Sequence, residues 1–320
     1  MRLVVEPSTL AGTARVPGSK SHTIRALAIA SMAKGVSQLR RPLDSLDTRA
    51  CVGVCRGLGA QVKTAETWAV EGFGGQPACP ENVLDVANSG TTLRIALGSC
   101  ALLREGLAVL TGDEQIRRRP IGPLAQSLNE LGASVVSTRG NGCPPVVAGG
   151  RLRGGRTSIE AVTSQYLTSL LINAPLADHD TDIDVPVLNE QPYVYMTLDW
   201  LARGSIELQR EGLRRFHIPG GQGYRPINVR VPADFSSATF FFGAGVLGDN
   251  DITLRGLDLN DPQGDKEVIA VLREMGADIE VTDKQVVARS SRLKGRRIDC
   301  NDFIDQFMLL AVVGAYADGE

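Results

Sequence analysis

The strongest constraint on the fold is a spacing. The strings CRGLGAQV, LNELGASVVS, WLARGSIELQ and LREMGADIEV each close an amphipathic segment with glycine and then alternate; their glycines, Gly59, Gly132, Gly204 and Gly276, stand 73, 72 and 72 residues apart. Each glycine fits a helix C-terminus, where a left-handed residue follows the last turn and a Cβ is disfavoured, with a half-buried strand next. A second landmark keeps the same beat. Alanine-rich segments end at Gly35, Gly106, Gly248 and Gly319, with 71 residues between the first two and between the last two. The corresponding point of the third copy lies near LADHDTDIDV. Each unit therefore carries two helices, each followed by β structure, an α/β repeat with too much strand for a helical solenoid. Glu320 falls where a fifth unit should begin its first strand, so the chain is expected to be a fragment or to receive its partner segment from another chain.

A chain of 320 residues exceeds one ordinary core, which predicts two domains. A net charge of -2 excludes non-specific nucleic-acid binding, which needs a large basic excess, so any anion site must be local. The six cysteines, at 51, 55, 79, 100, 143 and 300, form no CxxC pair and have no histidine at ligand spacing. They read as reduced thiols, with no metal site among them. No apolar leader follows the basic start, and FMLLAVVGAYA is too short to span a bilayer, so a cytoplasmic protein without a membrane partner is expected.

The stretches that offer chemistry lie at helix starts, where unpaired backbone N–H groups and the positive end of the dipole favour anions. In VPGSKSHTIRALA a Pro-Gly turn hands Lys20, Ser21, Thr23 and Arg25 to an alanine-rich helix, although a capped, solvated helix start would read the same way. In DVANSGTTLRIAL, Asn88, Ser89 and Gly90 break an extended segment and Gly90 permits close approach of a ligand to the backbone. In TGDEQIRRRPIGPL three arginines precede Pro120, which suits the first turn of a helix and would hold Arg119 for bidentate contact with a carboxylate or phosphate. The other two arginines fit a solvated run. AVTSQYLTSLL opens with Thr163, Ser164 and Gln165, of which capping explains one. In RVPADFSSATFFFGAG, Asp234, Ser236 and Ser237 read as a cap. DCNDFIDQFMLLAVV places Asp302 and Asp305 at a hydrophobic helix start, as dipole partners or as a catalytic carboxylate.

Taken together, PGSKSHTIRALA, LDSLDTR, NSGTTLR, TGDEQIRRRPIGPL, TSQYLTSLL, PYVYMTLDWL, DFSSATFF, DPQGDKEV and FIDQFMLLA resemble, in order and over the whole chain, the 5-enolpyruvylshikimate-3-phosphate synthases. The resemblance implies a two-domain inside-out α/β barrel: βαβαββ units, three to a domain, with helices inside and sheets outside, and helix starts converging on a cleft that closes on two anionic substrates. Residues 19–230 would form one substrate-binding domain, and residues 1–18 with 231–320 a second, incomplete one. It implies transfer of the enolpyruvyl group of phosphoenolpyruvate to shikimate 3-phosphate, without a cofactor or metal. By resemblance, Lys20 contacts phosphoenolpyruvate and takes part in proton transfer. Ser21 and Arg25 hold shikimate 3-phosphate, Thr163 and Ser164 bind its phosphate, and Tyr193 lies at a substrate position. Gly90 and Arg119 belong to the phosphoenolpyruvate pocket, Gln165 lies between the ligands, and Asp305 is the acid/base near the attacking hydroxyl.

The chain departs from the family pattern in places. The family commonly has Ser at Thr163, and Ser with a basic residue where this chain has Glu190 and Gln191. A further C-terminal segment, with a second glutamate and the Lys and Arg that clamp phosphoenolpyruvate, is expected of a full member. The chain alone is then expected to turn over poorly and to self-associate through FMLLAVVGAYA, whereas a complete member acts as a monomer. Two alternatives accompany this reading. A UDP-N-acetylglucosamine enolpyruvyl transferase would carry a reactive Cys in its mobile loop, and TGDEQIRRRP has none. A non-catalytic truncated paralogue would keep anion binding without the reaction.

Overall fold

The computed structural model describes residues 4–320. Residues 1–3, which belong to the N-terminal segment read above as leader-free and as part of the second domain, lie outside the described residues. After strand β1 (Ala11–Arg15) the chain runs α1 (Lys20–Met32), β2 (Lys34–Arg40), α2 (Leu46–Gly57), β3 (Gln61–Lys63) and β4 (Thr67–Phe73). The second copy is β5 (Leu84–Asp85), α3 (Gly90–Cys100), β6 (Leu107–Thr111), α4 (Gly122–Glu130), β7 (Ser134–Ser137) and β8 (Val146–Gly149). The third is β9 (Gly155–Ala161), α5 (Ser164–Asn173), β10 (Thr181–Leu188), α6 (Gln191–Arg203), β11 (Gln209–Glu211) and β12 (Arg215–Ile218). Then follow β13 (Asn228–Arg230), α7 (Phe235–Val246), β14 (Asp251–Arg255), α8 (Val268–Glu274), β15 (Asp278–Val281), β16 (Gln285–Arg289) and α9 (Phe307–Gly314).

The chain divides into two compact units, Lys20–Val231 and the segment ending at Ser19 together with Pro232–Glu320. In the first, three four-stranded sheets share one plan: β5-β6-β8-β7, β9-β10-β12-β11 and β13-β2-β4-β3. A leading strand runs parallel to the second, and the remaining pairs are antiparallel. For the copy that begins with α1, the leading strand β13 comes from the far end of the unit, with Asn228 opposite Gln38. The other unit repeats the plan as β1-β14-β16-β15, its leading strand drawn from the N-terminal segment. A parallel bridge between Lys294 and Asp318 flanks α9. The strand read from the second landmark as a unit's first is therefore the second strand of its sheet.

The helices that open each copy are alanine- and leucine-rich and carry no charge-rich face. α1 is buried from His22 to Met32, and α3 and α5 nearly as completely, the signature of helices enclosed by other elements. Each fully buried Ile or Leu along them contributes about 1.5–3 kcal/mol. Their polar side chains find partners among themselves: Ser99 Oγ donates to Asn173 Oδ1 at 3.1 Å, Asn173 Nδ2 to the Ser169 carbonyl at 2.8 Å, and Ser169 Oγ to the Arg94 carbonyl at 2.5 Å. Sheets lie outside them, with alternating buried and exposed positions along strands such as β9. In the Pro232–Glu320 unit, Phe235, Phe242, Val268, Leu272, Leu310 and Val313 form the core, while Phe307, Met308, Val312 and Tyr316 are exposed.

One landmark glycine differs from its expected role. Gly59, Gly132 and Gly276 have φ of 105°, 97° and 99°, as a left-handed helix end requires. Gly204 has φ -79°, and Ser205, at φ 62°, takes the left-handed position instead. Gly204 is needed for space: a Cβ there would lie 2.6 Å from Tyr224 Cδ1. Tyr224 is buried and donates its hydroxyl to the Ile172 carbonyl at 2.7 Å.

Candidate functional site

Within Lys20–Val231, the starts of α1, α3 and α5 carry the candidate residues. At α1, Lys20 is exposed and pairs with Asp47 at 3.5 Å, a surface contact worth at most about 1 kcal/mol. Ser21 is half-buried. Arg25, only 1% exposed, donates through Nε to Thr197 Oγ1 at 2.9 Å and through Nη2 to Thr168 Oγ1 and the Tyr193 carbonyl, both at 3.3 Å. Its Nη1 donates to the Ser21 carbonyl at 3.2 Å, and its guanidinium lies 6.0 Å from the Tyr193 ring centre. Burial lowers its pKa to about 10, against the opposing pull of Tyr193 and Glu190, so it stays cationic at neutral pH.

At α3, Ser89 caps the helix by accepting from the Thr92 amide at 3.3 Å, which leaves Gly90 as its first residue. A Cβ on Gly90 would lie 2.6 Å from Arg119 Nη1 and 3.0 Å from Arg94 Nη1. Two guanidiniums thus rest on the bare backbone of this helix start. Arg94 is buried, donates to Gln165 Oε1 at 2.7 Å and stacks 5.4 Å from the Tyr166 ring centre, while its Nε has no hydrogen-bond partner. Burial lowers its pKa, and repulsion by Arg119 lowers it further while Tyr166 opposes. Two like charges at one helix N-terminus create a place that an anion would stabilise.

The arginine run divides as its sequence suggests, but the proline does not act as expected. Arg117 bonds the Gly112 carbonyl, Arg118 pairs with exposed Glu114, and only Arg119 turns toward Gly90. Pro120 precedes the next helix, whose cap is Ile121 and whose first turn holds Pro123 instead. Pro120 serves through its carbonyl, which accepts from Tyr166 at 2.8 Å and Arg94 at 3.4 Å.

At α5, Thr163 is the N-cap, and Ser164 and Thr163 have a partner that the sequence reading did not supply. Glu190 Oε2 accepts from Ser164 Oγ at 2.7 Å, the Ser164 amide at 3.1 Å and Thr163 Oγ1 at 3.3 Å. Glu190 sits at φ 56°, ψ 45°, a left-handed conformation costly for a residue with a Cβ. Gln165 joins α5 to α3 through Arg94, and Tyr193 joins α6 to α1 through Arg25. Arg94 lies within NSGTTLR, but its bond to Gln165 spans 71 residues and no local pattern signals it.

Asp305 lies in the other unit, exposed, in a 3-10 turn ahead of α9. Its neighbour Gln306 is buried, donates to Asp265 Oδ1 at 2.8 Å and accepts from Thr239 Oγ1. Asp265, from DPQGDKEV, also accepts from Ser236 Oγ at 2.8 Å. Burial raises its pKa above 3.8, with Asp305 and Asp234 adding repulsion and the two hydrogen bonds opposing. Asp234 caps α7 as read, accepting from the Ser237 amide at 3.0 Å. All six cysteines are free thiols. Among the described residues, no group of three or more His, Cys, Asp or Glu is placed to hold a metal, and no helix is long and apolar enough to cross a membrane.

The family model for EPSP synthase (3-phosphoshikimate 1-carboxyvinyltransferase) matches residues 4–320. The chain belongs to the EPSP synthase family. It is 50% identical over 321 residues to the 3-phosphoshikimate 1-carboxyvinyltransferase of Acetivibrio thermocellus and 46% identical to that of Ruminiclostridium cellulolyticum, covering all of this chain and 76% of each relative. The solved EPSP synthase of Acinetobacter baumannii superposes with a TM-score of 0.80 at 26% identity, over 97% of this chain and 72% of that one. The α/β architecture expected from the repeat is thus that of the family.

Proposed function

We propose that this chain transfers the enolpyruvyl group of phosphoenolpyruvate to the 5-hydroxyl of shikimate 3-phosphate, releasing phosphate. The observation that carries the proposal is the pair of anion-ready helix starts, α3 under Arg94 and Arg119 and α5 with Thr163 and Ser164, in a chain half identical to a relative of that name. In this reading Thr163 and Ser164 receive the acceptor's phosphate, and Ser21, Arg25 and Tyr193 shape the rest of its subsite. Gly90, Arg119 and Lys20 receive phosphoenolpyruvate, and Gln165 stands between the two. The acceptor hydroxyl attacks C2 and loses its proton to Asp305, while C3 gains a proton with Lys20 taking part. The tetrahedral adduct then expels phosphate, which takes the proton held by Asp305, while C3 gives its proton back on the Lys20 side to regenerate the enol ether. Fixed cations stabilise the phosphate and carboxylate charges throughout. The enzyme would act in the cytoplasm and, when complete, as a monomer.

Phosphorus NMR of phosphoenolpyruvate with shikimate 3-phosphate tests this, run with the chain alone and with a C-terminal segment of a relative added. The proposal expects inorganic phosphate and a new phosphate ester in equal amounts, faster with the added segment. No release in either sample contradicts it.

A further inference from the structure

Glu190 occupies an anion position at the start of α5. Its carboxylate oxygen takes one backbone amide and two hydroxyls at the start of a ten-residue helix, the donor set a phosphate oxygen would take. The side chain makes no capping bond to its own helix, α6. The left-handed backbone at Glu190 is what directs the carboxylate backward onto α5, and strain of this kind persists where a site over-determines it. The Glu190 charge also favours the cationic forms of Arg25 and Arg94, opposing the effect of their burial.

We infer that Glu190 is an internal competitor for the acceptor's phosphate subsite, and that it weakens every phosphate ligand there, small free anions such as inorganic phosphate included. This rests on the proposed function above. A carboxylate and a phosphate cannot share the three donors, since both are acceptors and both are negative. A ligand must therefore displace Glu190, and its apparent affinity falls by the fraction of molecules in which the carboxylate is docked; docking in about 90% of molecules gives roughly a tenfold loss. Shikimate 3-phosphate, held also through Ser21, Gln165 and Tyr193, starts from a tighter intrinsic affinity and still binds after that loss. Inorganic phosphate, which is also the reaction's product, has only the α5 donors to gain. The device thus keeps the acceptor subsite clear of product without a moving domain.

The test uses Glu190→Gln, which keeps the shape without the charge, and Glu190→Ser, which removes the reach. For each, the inhibition constant of inorganic phosphate, KM for shikimate 3-phosphate, KM for phosphoenolpyruvate and kcat are measured. Binding of inorganic phosphate is followed separately by calorimetry, so that a wild type without turnover even with the added segment, which would sink the proposed function, still leaves this inference testable. The inference expects phosphate to bind about tenfold or more tightly in either variant. It also expects KM for shikimate 3-phosphate to fall by a similar factor. Phosphate affinity unchanged or weakened in a folded variant overturns it, as does a raised KM for shikimate 3-phosphate, which would make Glu190 a direct contact of the acceptor.

Discussion

A single methyl group at Gly90 should separate phosphoenolpyruvate binding from every other property of this protein. The backbone there is helical, so alanine is conformationally acceptable and, at a helix position, favoured over glycine by up to about 1 kcal/mol. The new Cβ would stand 2.6 Å from Arg119 Nη1 and 3.0 Å from Arg94 Nη1. Carbon contacts settle near 3.5–4.0 Å, so Arg119 must retreat by on the order of 1 Å. Arg94 is tied to Gln165 and stacked on Tyr166, which leaves the half-exposed Arg119 as the group that yields. A misplacement of about 1 Å in a positioning group costs up to roughly 100-fold. Steady-state kinetics of Gly90→Ala should show KM for phosphoenolpyruvate raised about 10- to 100-fold. KM for shikimate 3-phosphate should stay within about twofold, and the melting temperature should be unchanged or higher. The control is Gly122→Ala, also at a helix start, where a Cβ meets nothing within 4 Å. An unchanged KM for phosphoenolpyruvate in Gly90→Ala would refute the placement of that substrate at the α3 start.

The remaining predictions concern charge. Arg25→Ala removes a buried guanidinium beneath the proposed acceptor subsite, and calorimetry should show shikimate 3-phosphate binding weakened by about 1.5–3 kcal/mol, roughly 10- to 150-fold; undiminished affinity in a folded variant would argue against that subsite. Asp265 has a folded pKa raised above 3.8, so its contribution to stability is complete below 3.8 and is lost as pH rises through the raised value. The stability of the wild type relative to Asp265→Asn, from urea midpoints between about pH 4 and 7, should therefore decline as pH rises; a flat difference would contradict the burial argument.

The repeat was legible because its glycines and alternating strands are local physics: a helix end and a pleat announce themselves within ten residues. Gly204 shows the limit, since it keeps the beat for a different reason, the ring of Tyr224 pressed against it. The borrowed leading strands were not legible as pairings. β13 joins β2 across some 190 residues, and only the closing of the unit makes that register. The same holds for the site. Lys20, Gly90, Thr163 and Ser164 stand at helix starts that composition reveals, whereas the roles of Arg94, Glu190 and Asp265 depend on partners 26 to 71 residues away. Glu190 carried one sequence signal, an acid and an amide before Pro192 where the family has a serine and a base, and its meaning appeared only with its position over Ser164.

The most direct test of the account is a crystal structure of this protein with shikimate 3-phosphate bound. The account predicts phosphate oxygens within about 2.7–3.2 Å of the Ser164 amide, Ser164 Oγ and Thr163 Oγ1, with the Glu190 carboxylate swung off these donors. A phosphate bound elsewhere, with Glu190 still seated on the start of α5, would contradict it.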